Sequence, residues 1–333
     1  MSHPLGVIIR GMGASVPDDV LNNDFFASYL DTSDEWILPR TGIRERRRAA
    51  EGESNLTLAL EASRRALQNA GMSADELDLI IVCTVTPETP LPSTACWLQN
   101  ELGVGGMAGI PAFDLAAACS GFVYGLVTAG LMIQSGPYEN ALVIGVETLT
   151  RITDYQDRST CILFGDGAGA AIVSRSPDPE RRILYWELGA DGSRAKAVWI
   201  PAGGSRDPAS IRTVNERLHY MRMNGRELFK FAVLKMQELI DRTLEKTGVS
   251  ADDIKLIIPH QSNRRIMESA RQRVGVPPEK MAINIDRYGN TSAASIPLAL
   301  DEAWRSGRVA PGDLVLLVAF GAGVTWGSVL MRL

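Results

Sequence analysis

The hydrophobic positions of the chain fall into short aliphatic runs that are separated by longer stretches with helical spacing. The runs at 141–146 and 314–319 are typical of buried strands, and Gly71 and Gly248 each end a helical stretch that precedes another such run. The segment 122–133 is apolar on all sides, so this helix must be enclosed by protein. The alternation of strands and helices predicts an α/β protein with mostly parallel sheets.

The same order of elements occurs twice in the chain. The segment 67–81 reappears as 244–258, a shift of 177 residues (244 − 67). Later in each half, the Ser-Gly pair at 135–136 parallels the pair at 306–307, a shift of 171 residues (306 − 135). Self-similarity at a nearly constant shift indicates a duplicated structural unit.

The duplication divides the chain into an N-terminal half, 1–175, and a C-terminal half, 176–333. One sheet cannot enclose a helix that is apolar on all sides, but two sheets on either side of it can. The weakly polar segment 292–300 is the expected partner of 122–133 in this central layer. We therefore expect a five-layer αβαβα fold.

Composition and charge exclude several classes of protein. The chain has 333 residues, 45% hydrophobic and 22% charged, which is enough to bury a large core. The net charge of −5 argues against nucleic acid as the main partner. Four cysteines without a CxxC pair favour free thiols in a reducing cytoplasm over disulfides or zinc. The start lacks a secretory signal, and the uncharged stretch 115–133 is interpreted as a buried helix because it is rich in small residues.

Chemically useful residues fall at equivalent ends of the two predicted halves. At the shift of 177, Cys83 corresponds to His260, and at a shift of about 172, Cys119 corresponds to Thr291, which follows Asn290. Ligands of α/β folds bind where strands end. We therefore expect Cys119, His260 and Asn290 to meet at one site.

These three residue types suit acyl transfer and carbon–carbon bond formation. Cys119 precedes the buried helix, where backbone N–H groups and the positive helix end are expected to lower the thiol pKa and give a thiolate nucleophile. His260 and Asn290 supply hydrogen bonds to a thioester carbonyl as negative charge grows on it. Taken singly, each residue also has an ordinary explanation: an inert thiol, a core histidine and a helix-capping asparagine.

Six spaced motifs carry a resemblance to a known family. They are the segments 32–44, 116–125, 164–169, 259–263, 289–295 and 321–327. In this order they resemble β-ketoacyl-acyl carrier protein synthase III, a thiolase-superfamily family, over nearly the whole chain. The resemblance implies a thiolase-like fold and a decarboxylative condensation of acyl-CoA with malonyl-acyl carrier protein, through acyl-Cys119, that initiates fatty acid biosynthesis. It implies no metal or redox cofactor.

The resemblance also implies a role for each matching residue. The N–H groups of Cys119 and Ala322 form the oxyanion hole, His260 and Asn290 bind the malonyl thioester, and Asn263 orients a water near His260. The implied binding residues are Thr32, Trp36, Arg40 and Arg158 for coenzyme A, Leu91 and Phe164 for the acyl pocket, and Lys230, Arg265 and Arg273 for the acidic carrier protein.

The implied partner subunit links one of these residues to specificity. In a homodimer Leu91 would line the neighbouring subunit's pocket, where the family often has Phe, so longer acyl chains are expected to fit. Ala322 replaces a frequent Gly, a change that leaves its N–H group unaffected. Each assignment also has an ordinary explanation. The residues assigned to coenzyme A are then plain surface residues, and the basic residues Lys230, Arg265 and Arg273 lie on a solvated helix face.

Other functions remain open within and outside this family. The third residue, Asn290, distinguishes the chain from degradative thiolases, which resemble Cys-His-Cys, and from elongating ketosynthases, which resemble Cys-His-His. A synthase-III-like acyltransferase or ketosynthase of secondary metabolism would use the same acyl-Cys119. A catalytically dead scaffold disagrees with the intact triad, and a cysteine protease disagrees with the absence of a papain-type signature.

Overall fold

The fold is built on two mixed sheets, in a computed structural model that describes residues 4–107 and 109–333. The strands are β1 Val7–Ser15, β2 Asp19–Asn22, β3 Glu45–Arg48, β4 Leu79–Cys83, β5 Ala112–Leu115, β6 Asn140–Thr148, β7 Asp166–Arg175, β8 Ile183–Ala190, β9 Val198–Trp199, β10 Arg222–Met223, β11 Leu256–Pro259, β12 Leu314–Gly321 and β13 Thr325–Arg332. The α-helices are α1 Asn23–Ala27, α2 Asp34–Thr41, α3 Asn55–Ala70, α4 Thr94–Glu101, α5 Gly121–Ser135, α6 Arg158–Cys161, α7 Ile211–Asn215, α8 Gly225–Thr247, α9 Arg264–Val274, α10 Ile285–Tyr288 and α11 Ser295–Arg305.

The larger sheets have the orders β1-β7-β6-β4-β5 and β11-β12-β13-β8. Parallel pairing is confined to β4/β5, β4/β6 and β11/β12 among the strands described in these two sheets. The pairs β1/β7, β6/β7, β12/β13 and β13/β8 are antiparallel. The expectation of mostly parallel sheets is therefore wrong, because strands such as β12 and β13 follow each other through a short turn, without a crossover helix.

Five layers are stacked as the duplication predicts. Helices α3 and α4 pack on the outer face of the five-stranded sheet, where Leu58 of α3 and Leu98 of α4 share a core with Ile144 of β6. Helices α5 and α11 lie between the two sheets. Helices α8 and α9 cover the far face of the four-stranded sheet through Met236 and Ile266. The αβαβα arrangement is confirmed.

Local signals in the sequence fix the limits of the long helices. Ser54 caps α3 through a reciprocal pair of hydrogen bonds with Thr57. Gly71 and Gly248 adopt the left-handed conformation that ends α3 and α8, with φ of 63° and 69°. The helix stops expected at both copies of the repeat are therefore present.

Helix α5 is the central element that the apolar segment predicts. A Cβ on its Gly125 would lie 2.4 Å from the Cys83 sulfur, so this glycine lets the helix approach β4 closely. The segment Ala118–Ser135 is long and apolar enough to span a membrane, but its first part is enclosed between the sheets. Leu131 is 40% exposed although Ala129 and Ile133 are fully buried, so near its C-terminal end the helix has one side that faces solvent and is not enclosed by protein all round.

Candidate active site

Cys119 lies in the tight helical turn Ala118–Ser120, directly before α5. Ala118 has a φ of 46°, a left-handed conformation that costs a non-glycine residue about 1–3 kcal/mol. Gly321 at the end of β12 packs against this turn, and a Cβ there would lie 2.6 Å from the Cys119 nitrogen. Glycine at 321 therefore allows the backbone that leads into Ala322 to lie next to Cys119.

The second half contains the same turn at Ser292–Ala294, before α11. Ser292 also has a φ of 46°, so the two turns correspond at an offset of 174 residues (292 − 118). The shift of about 172 expected from the sequence is therefore wrong by two residues. Cys119 corresponds to Ala293 and not to Thr291, since the lengths of the connecting segments differ between the halves.

Backbone hydrogen bonds to neighbouring segments hold His260, which directly follows β11, and Asn290, which follows α10. The His260 N–H donates to the Val318 oxygen at 2.8 Å, and its ring meets Phe320 edge-on at 5.6 Å. The Asn290 N–H donates to the Leu163 oxygen at 2.8 Å. The side-chain oxygen of Asn290 accepts from the N–H of Ser292 at 2.9 Å, and within residues 4–107 and 109–333 its Nδ2 has no hydrogen-bond partner.

One cavity of about 300 Å³ joins these residues. Cys119, His260, Asn290 and Ala322 all line it, so the structure brings together the triad and the second expected oxyanion residue. Its walls are otherwise mainly apolar, formed by Val85, Leu149, Ile152, Phe164, Val198, Trp199, Ile200, Met221, Met223, Leu228 and Phe320. Among the described residues, no group of three or more His, Cys, Asp and Glu side chains is arranged to hold a metal ion.

Burial controls the protonation of the two titratable members of the triad. It raises the pKa of the Cys119 thiol from 9.0 to about 12, and the Ser292 hydroxyl opposes this rise. It lowers the pKa of His260 from 6.5 to about 3, and the His260 Nδ1 is buried without a partner in the described chain. At neutral pH both groups are therefore uncharged. The expected lowering of the thiol pKa is wrong for this state, because loss of water outweighs the backbone N–H groups at the helix start.

Comparison with known proteins assigns the chain to a family. A family model of 3-oxoacyl-[acyl-carrier-protein] synthase III matches residues 113–192, and the model of its C-terminal part matches 244–333. The β-ketoacyl-[acyl-carrier-protein] synthase III of Caldanaerobacter subterraneus is 49% identical over 100% of this chain and 99% of that protein. The protein of the same name from Symbiobacterium thermophilum is 52% identical over 99% and 98%. The chain belongs to the β-ketoacyl-[acyl-carrier-protein] synthase III family. It is accordingly a condensing acyltransferase.

Solved structures agree with this assignment. The 3-oxoacyl-[acyl-carrier-protein] synthase III of Aquifex aeolicus superposes with a TM-score of 0.89 at 47% identity, over 98% of this chain and 100% of that one. The priming β-ketosynthase of the R1128 polyketide pathway superposes with a TM-score of 0.88 at 34% identity, over 100% and 98%. The thiolase-like fold expected from the motifs is therefore confirmed.

The residues expected to hold coenzyme A cluster at α2 and α6 of the enzyme. The Arg40 and Arg158 guanidinium groups lie 4.6 Å and 4.9 Å from the centre of the Trp36 ring. Arg158 also donates to the Asp31 main-chain oxygen, and the Thr32 hydroxyl is buried without a partner in the described chain. A base stacked between Trp36 and Arg158 needs about 7 Å, twice the contact distance of about 3.5 Å. Arg158 must therefore move if a base is to enter.

The two residues expected to line the acyl pocket differ widely in solvent exposure. Phe164 is 6% exposed, lines the cavity and pairs through its backbone with Asn290. Leu91 is 86% exposed on the loop between β4 and α4 and does not line the cavity of its own chain. Its side chain is therefore available to a second copy of the enzyme.

Asn263 has two structural partners. Its side-chain oxygen caps α9 by accepting from the Arg265 N–H at 2.9 Å, and its Nδ2 donates to the Arg40 main-chain oxygen at 2.9 Å. The amide therefore joins α9 to the end of α2. The expected role of Asn263 in orienting a water near His260 stays a prediction.

The three residues expected to bind the carrier protein lie on the outer helical layer of the C-terminal half. Lys230 on α8 is exposed, and so are Arg265 and Arg273 on α9. The Arg265 guanidinium lies 5.4 Å from the Phe229 ring, and Arg273 is 3.6 Å from Asp241. Helices α8 and α9 pack against each other, so these charges share one face of the molecule.

Sequence reasoning missed a buried polar cluster beside the triad. Glu147 is fully buried at the end of β6, accepts hydrogen bonds from the Thr86 hydroxyl and the Val85 N–H, and lies behind Val85, which lines the cavity. The available signal is a single acidic residue that ends an otherwise aliphatic strand. Such a carboxyl is rarely buried without a specific reason.

Proposed function

We propose that the enzyme transfers an acyl group from acyl-CoA to Cys119 and condenses it with malonyl-acyl carrier protein, which starts fatty acid biosynthesis. The Cys119 sulfur forms a thioester as the bond from the acyl carbon to the coenzyme A sulfur breaks. Loss of CO₂ from the malonyl group gives an enolate, which attacks the acyl-Cys119 carbonyl. The cavity that joins Cys119 to His260 and Asn290 is the observation that carries this proposal.

In this mechanism the oxyanion is bound by the N–H groups of Cys119 and Ala322. The close contact of Gly321 with the Cys119 backbone supports this role, since it brings both peptide groups to one place. Fixed N–H donors stabilise a developing oxyanion without the cost of reorienting water. The condensation needs no metal or redox cofactor.

His260 and Asn290 are assigned to the malonyl thioester carbonyl. Burial keeps His260 neutral, so it donates a hydrogen bond without carrying a charge into the apolar cavity. Asn290 has its Nδ2 free for the same oxygen, because its own oxygen is held by Ser292. The enolate that follows CO₂ loss is thereby stabilised by two donors.

Substrate binding is divided between two surfaces of the enzyme. Coenzyme A is assigned to Thr32, Trp36, Arg40 and Arg158, with Arg158 leaving the Trp36 ring as the base enters. The malonyl-acyl carrier protein is assigned to Lys230, Arg265 and Arg273, whose exposed charges suit an acidic partner.

A homodimer is part of the proposal. The exposed apolar side chains Leu91, Trp97 and Met107 lie on segments that flank β5, which is the last strand of its sheet. An unpaired edge with apolar neighbours is a natural surface for a second copy. In such a dimer Leu91 reaches the partner subunit's acyl pocket.

Two broader assignments belong to the same proposal. We place the boundary between the halves after residue 175, since the strands of the five-stranded sheet lie within 7–175 and those of the four-stranded sheet begin at 183. We place the enzyme in the cytoplasm, which its four free cysteines support.

Mass spectrometry of Cys119 after incubation with acyl-CoA tests the function directly. The wild type should gain the mass of the acyl group on the peptide that contains Cys119, and release it when malonyl-acyl carrier protein is added. Cys96→Ser is the matched control, because Cys96 is exposed and lies outside the cavity. An adduct on Cys96, or none on any cysteine, would contradict the proposal.

A specialised ketosynthase of secondary metabolism is the second candidate. Its support is the 34% identity and full-length superposition with the R1128 priming β-ketosynthase. The same acyl-enzyme chemistry applies to both, so the acyl donor separates them. Measuring the adduct on Cys119 with a panel of straight and branched acyl-CoA donors shows which acyl group the enzyme accepts, and this decides between the two candidate functions.

A further inference from the structure

Arg46 on β3 is a buried cation to which the condensation chemistry gives no role. Its side chain is 0% exposed, and its guanidinium lies 4.5 Å from the centre of the Phe26 ring. In the part of the chain that the structure describes, this guanidinium donates hydrogen bonds only to uncharged oxygens. Arginine is rarely buried without a carboxylate, because removing its charge from water is costly. Complete burial of Arg46 therefore indicates a specific role.

The guanidinium of Arg46 holds the segment on which Asn290 is fixed. Its Nε donates to the Ile162 oxygen at 2.8 Å, and its Nη2 donates to the same oxygen. The oxygen of the next residue, Leu163, accepts from the Asn290 N–H at 2.8 Å. The Gly165 N–H donates in turn to the Asn290 main-chain oxygen at 3.1 Å. Arg46 thus fixes the carbonyl directly before the one that anchors Asn290.

The aliphatic part of the Arg46 side chain packs against two glycines beside these bonds. A Cβ on Gly165 would lie 3.1 Å from the Arg46 Cβ, and a Cβ on Gly289 would lie 3.0 Å from the Arg46 Cγ. Gly289 has a φ of 65°, a left-handed conformation that suits glycine, and it directly precedes Asn290. The same side chain therefore supports both the segment 162–165 and the turn that carries Asn290.

The other end of the guanidinium is linked to the helix assigned to coenzyme A. The Arg46 Nη1 donates to the Asn23 Oδ1 at 2.7 Å, and the Asn23 Nδ2 donates to the Asp34 carboxylate at 2.7 Å. Asn23 is itself 3% exposed. Asp34 is the first residue of α2, which also carries Trp36. Arg46 therefore joins the start of this helix to the segment that anchors Asn290.

We propose that Arg46 is a positioning residue that holds the Asn290 amide in place for condensation; this rests on the role of Asn290 in the proposed function. Without the guanidinium, the Ile162 carbonyl loses its donor and the segment that anchors Asn290 is free to shift. A displacement of about 1 Å can slow an enzymatic step about 10²-fold. Asn290 is assigned to the malonyl thioester and not to the acyl donor, so acylation of Cys119 does not depend on Arg46.

Single-turnover assays of Arg46→Met measure the two half-reactions separately. Methionine keeps much of the apolar side chain but donates no hydrogen bond. Condensation of acyl-Cys119 with malonyl-acyl carrier protein should slow about 10-fold to 10²-fold, whereas Cys119 acylation should stay within about threefold of the wild-type rate. Arg46→Lys keeps the charge and donates hydrogen bonds, so it should recover part of the condensation rate.

A double-mutant cycle with Asn290→Ala gives a readout that a general loss of packing would not move. If Arg46 acts through Asn290, then Arg46→Met should slow condensation by no more than about twofold once residue 290 is alanine. Arg48→Met is the matched control. Arg48 lies on the same strand and 5.6 Å from the Phe25 ring, but it is partly exposed and pairs with Asp19. Both of its rates should stay within about twofold of the wild type.

The possible results distinguish the positioning role from the function on which it rests. If the wild type forms no acyl adduct on Cys119, or if Asn290→Ala condenses normally, the proposed function fails and the role of Arg46 fails with it. If both behave as proposed but Arg46→Met condenses at the wild-type rate, or loses acylation and condensation equally, the role of Arg46 alone is overturned. Losses that multiply in the double variant would also overturn it.

Asn23→Ala keeps the test decisive if Arg46→Met does not fold. This variant removes the acceptor of the Arg46 Nη1 but leaves the guanidinium on the Ile162 oxygen. At saturating acyl-CoA it should slow condensation about threefold, the scale of one hydrogen bond, and leave acylation unchanged. A wild-type condensation rate in Asn23→Ala, or an equal loss of acylation, would overturn the positioning role.

Discussion

Replacing Glu147 by glutamine should change how the free energy of unfolding depends on pH. Burial raises the pKa of Glu147 from 4.5 to about 7, and hydrogen bonds from Thr86 and Val85 oppose this rise only in part. The unfolded chain exposes the carboxyl to water and restores its ordinary pKa. The folded state therefore binds this proton more tightly than the unfolded state, and the stability of the wild type falls as pH rises from about 4.5 to about 7.

The size of the effect follows from the two pKa values. Their difference of about 2.5 corresponds to about 3 kcal/mol at about 1.4 kcal/mol for each tenfold step. This contribution is complete below pH 4.5 and is lost above pH 7. Glutamine cannot ionise, so the stability of Glu147→Gln relative to the wild type should increase by about 3 kcal/mol over that range. The substitution also weakens the hydrogen bonds that the carboxylate accepts from Thr86 and Val85, which lowers the stability by about 1–3 kcal/mol at every pH. The dependence of the stability difference on pH is therefore the diagnostic quantity.

Urea unfolding of both proteins at pH 5, 6, 7 and 8 measures this slope. Other ionisable groups are common to both chains and cancel in the difference. Glu180→Gln is the matched control, because Glu180 is exposed and folding changes its surroundings little. A difference between Glu147→Gln and the wild type that stays constant from pH 5 to pH 8 would refute the reasoning, and so would an equal slope in Glu180→Gln.

Four further predictions concern the reaction. Cys119→Ser should form no acyl adduct by mass spectrometry, since a hydroxyl is a far weaker nucleophile, while malonyl decarboxylation persists. His260→Ala and Asn290→Ala should each lower condensation about 10²-fold or more in single-turnover assays with acylation largely kept; slow acylation with normal condensation contradicts this. Arg265→Glu should raise KM for malonyl-acyl carrier protein far more than for acyl-CoA, and added salt should narrow the gap; equal losses place docking elsewhere. Leu91→Phe should lower the octanoyl-to-acetyl ratio of kcat/KM, by about 1 kcal/mol for each excluded methylene; an unchanged ratio means that specificity lies deeper in the pocket.

The sequence predicts the architecture well because the duplication records it. Helix stops at Gly71 and Gly248, and the apolar segment of α5, are local signals that tertiary contacts reinforce. Whether neighbouring strands run parallel or antiparallel is harder to predict from the sequence. Antiparallel β13 follows β12 through a short turn, and the hydrophobic pattern of the two strands would be the same in a parallel pair. The same limit explains the two-residue error in aligning Cys119 with the second half, which depends on loop lengths.

The convergence of the triad is also predictable, but its electrostatics are not. The positive end of a helix is expected to lower the pKa of the Cys119 thiol, whereas burial among apolar walls raises this pKa to about 12. The stacking of Arg158 on Trp36 and the cap formed by Asn263 depend on side-chain conformations. Glu147 lies 28 positions after Cys119 (147 − 119), and only the pairing of β4 with β6 brings its neighbours together.

The paired turns at Ala118 and Ser292 show which part of the site comes from the repeated backbone and which from its side chains. Both residues share a φ of 46°, although one precedes the nucleophile and the other carries a hydroxyl. The strained bend is therefore a property of the repeating unit and does not depend on the role that each copy has at the site. The two copies present the same bend to one shared cavity but differ in the side chain there, a methyl group at Ala118 and a hydroxyl at Ser292.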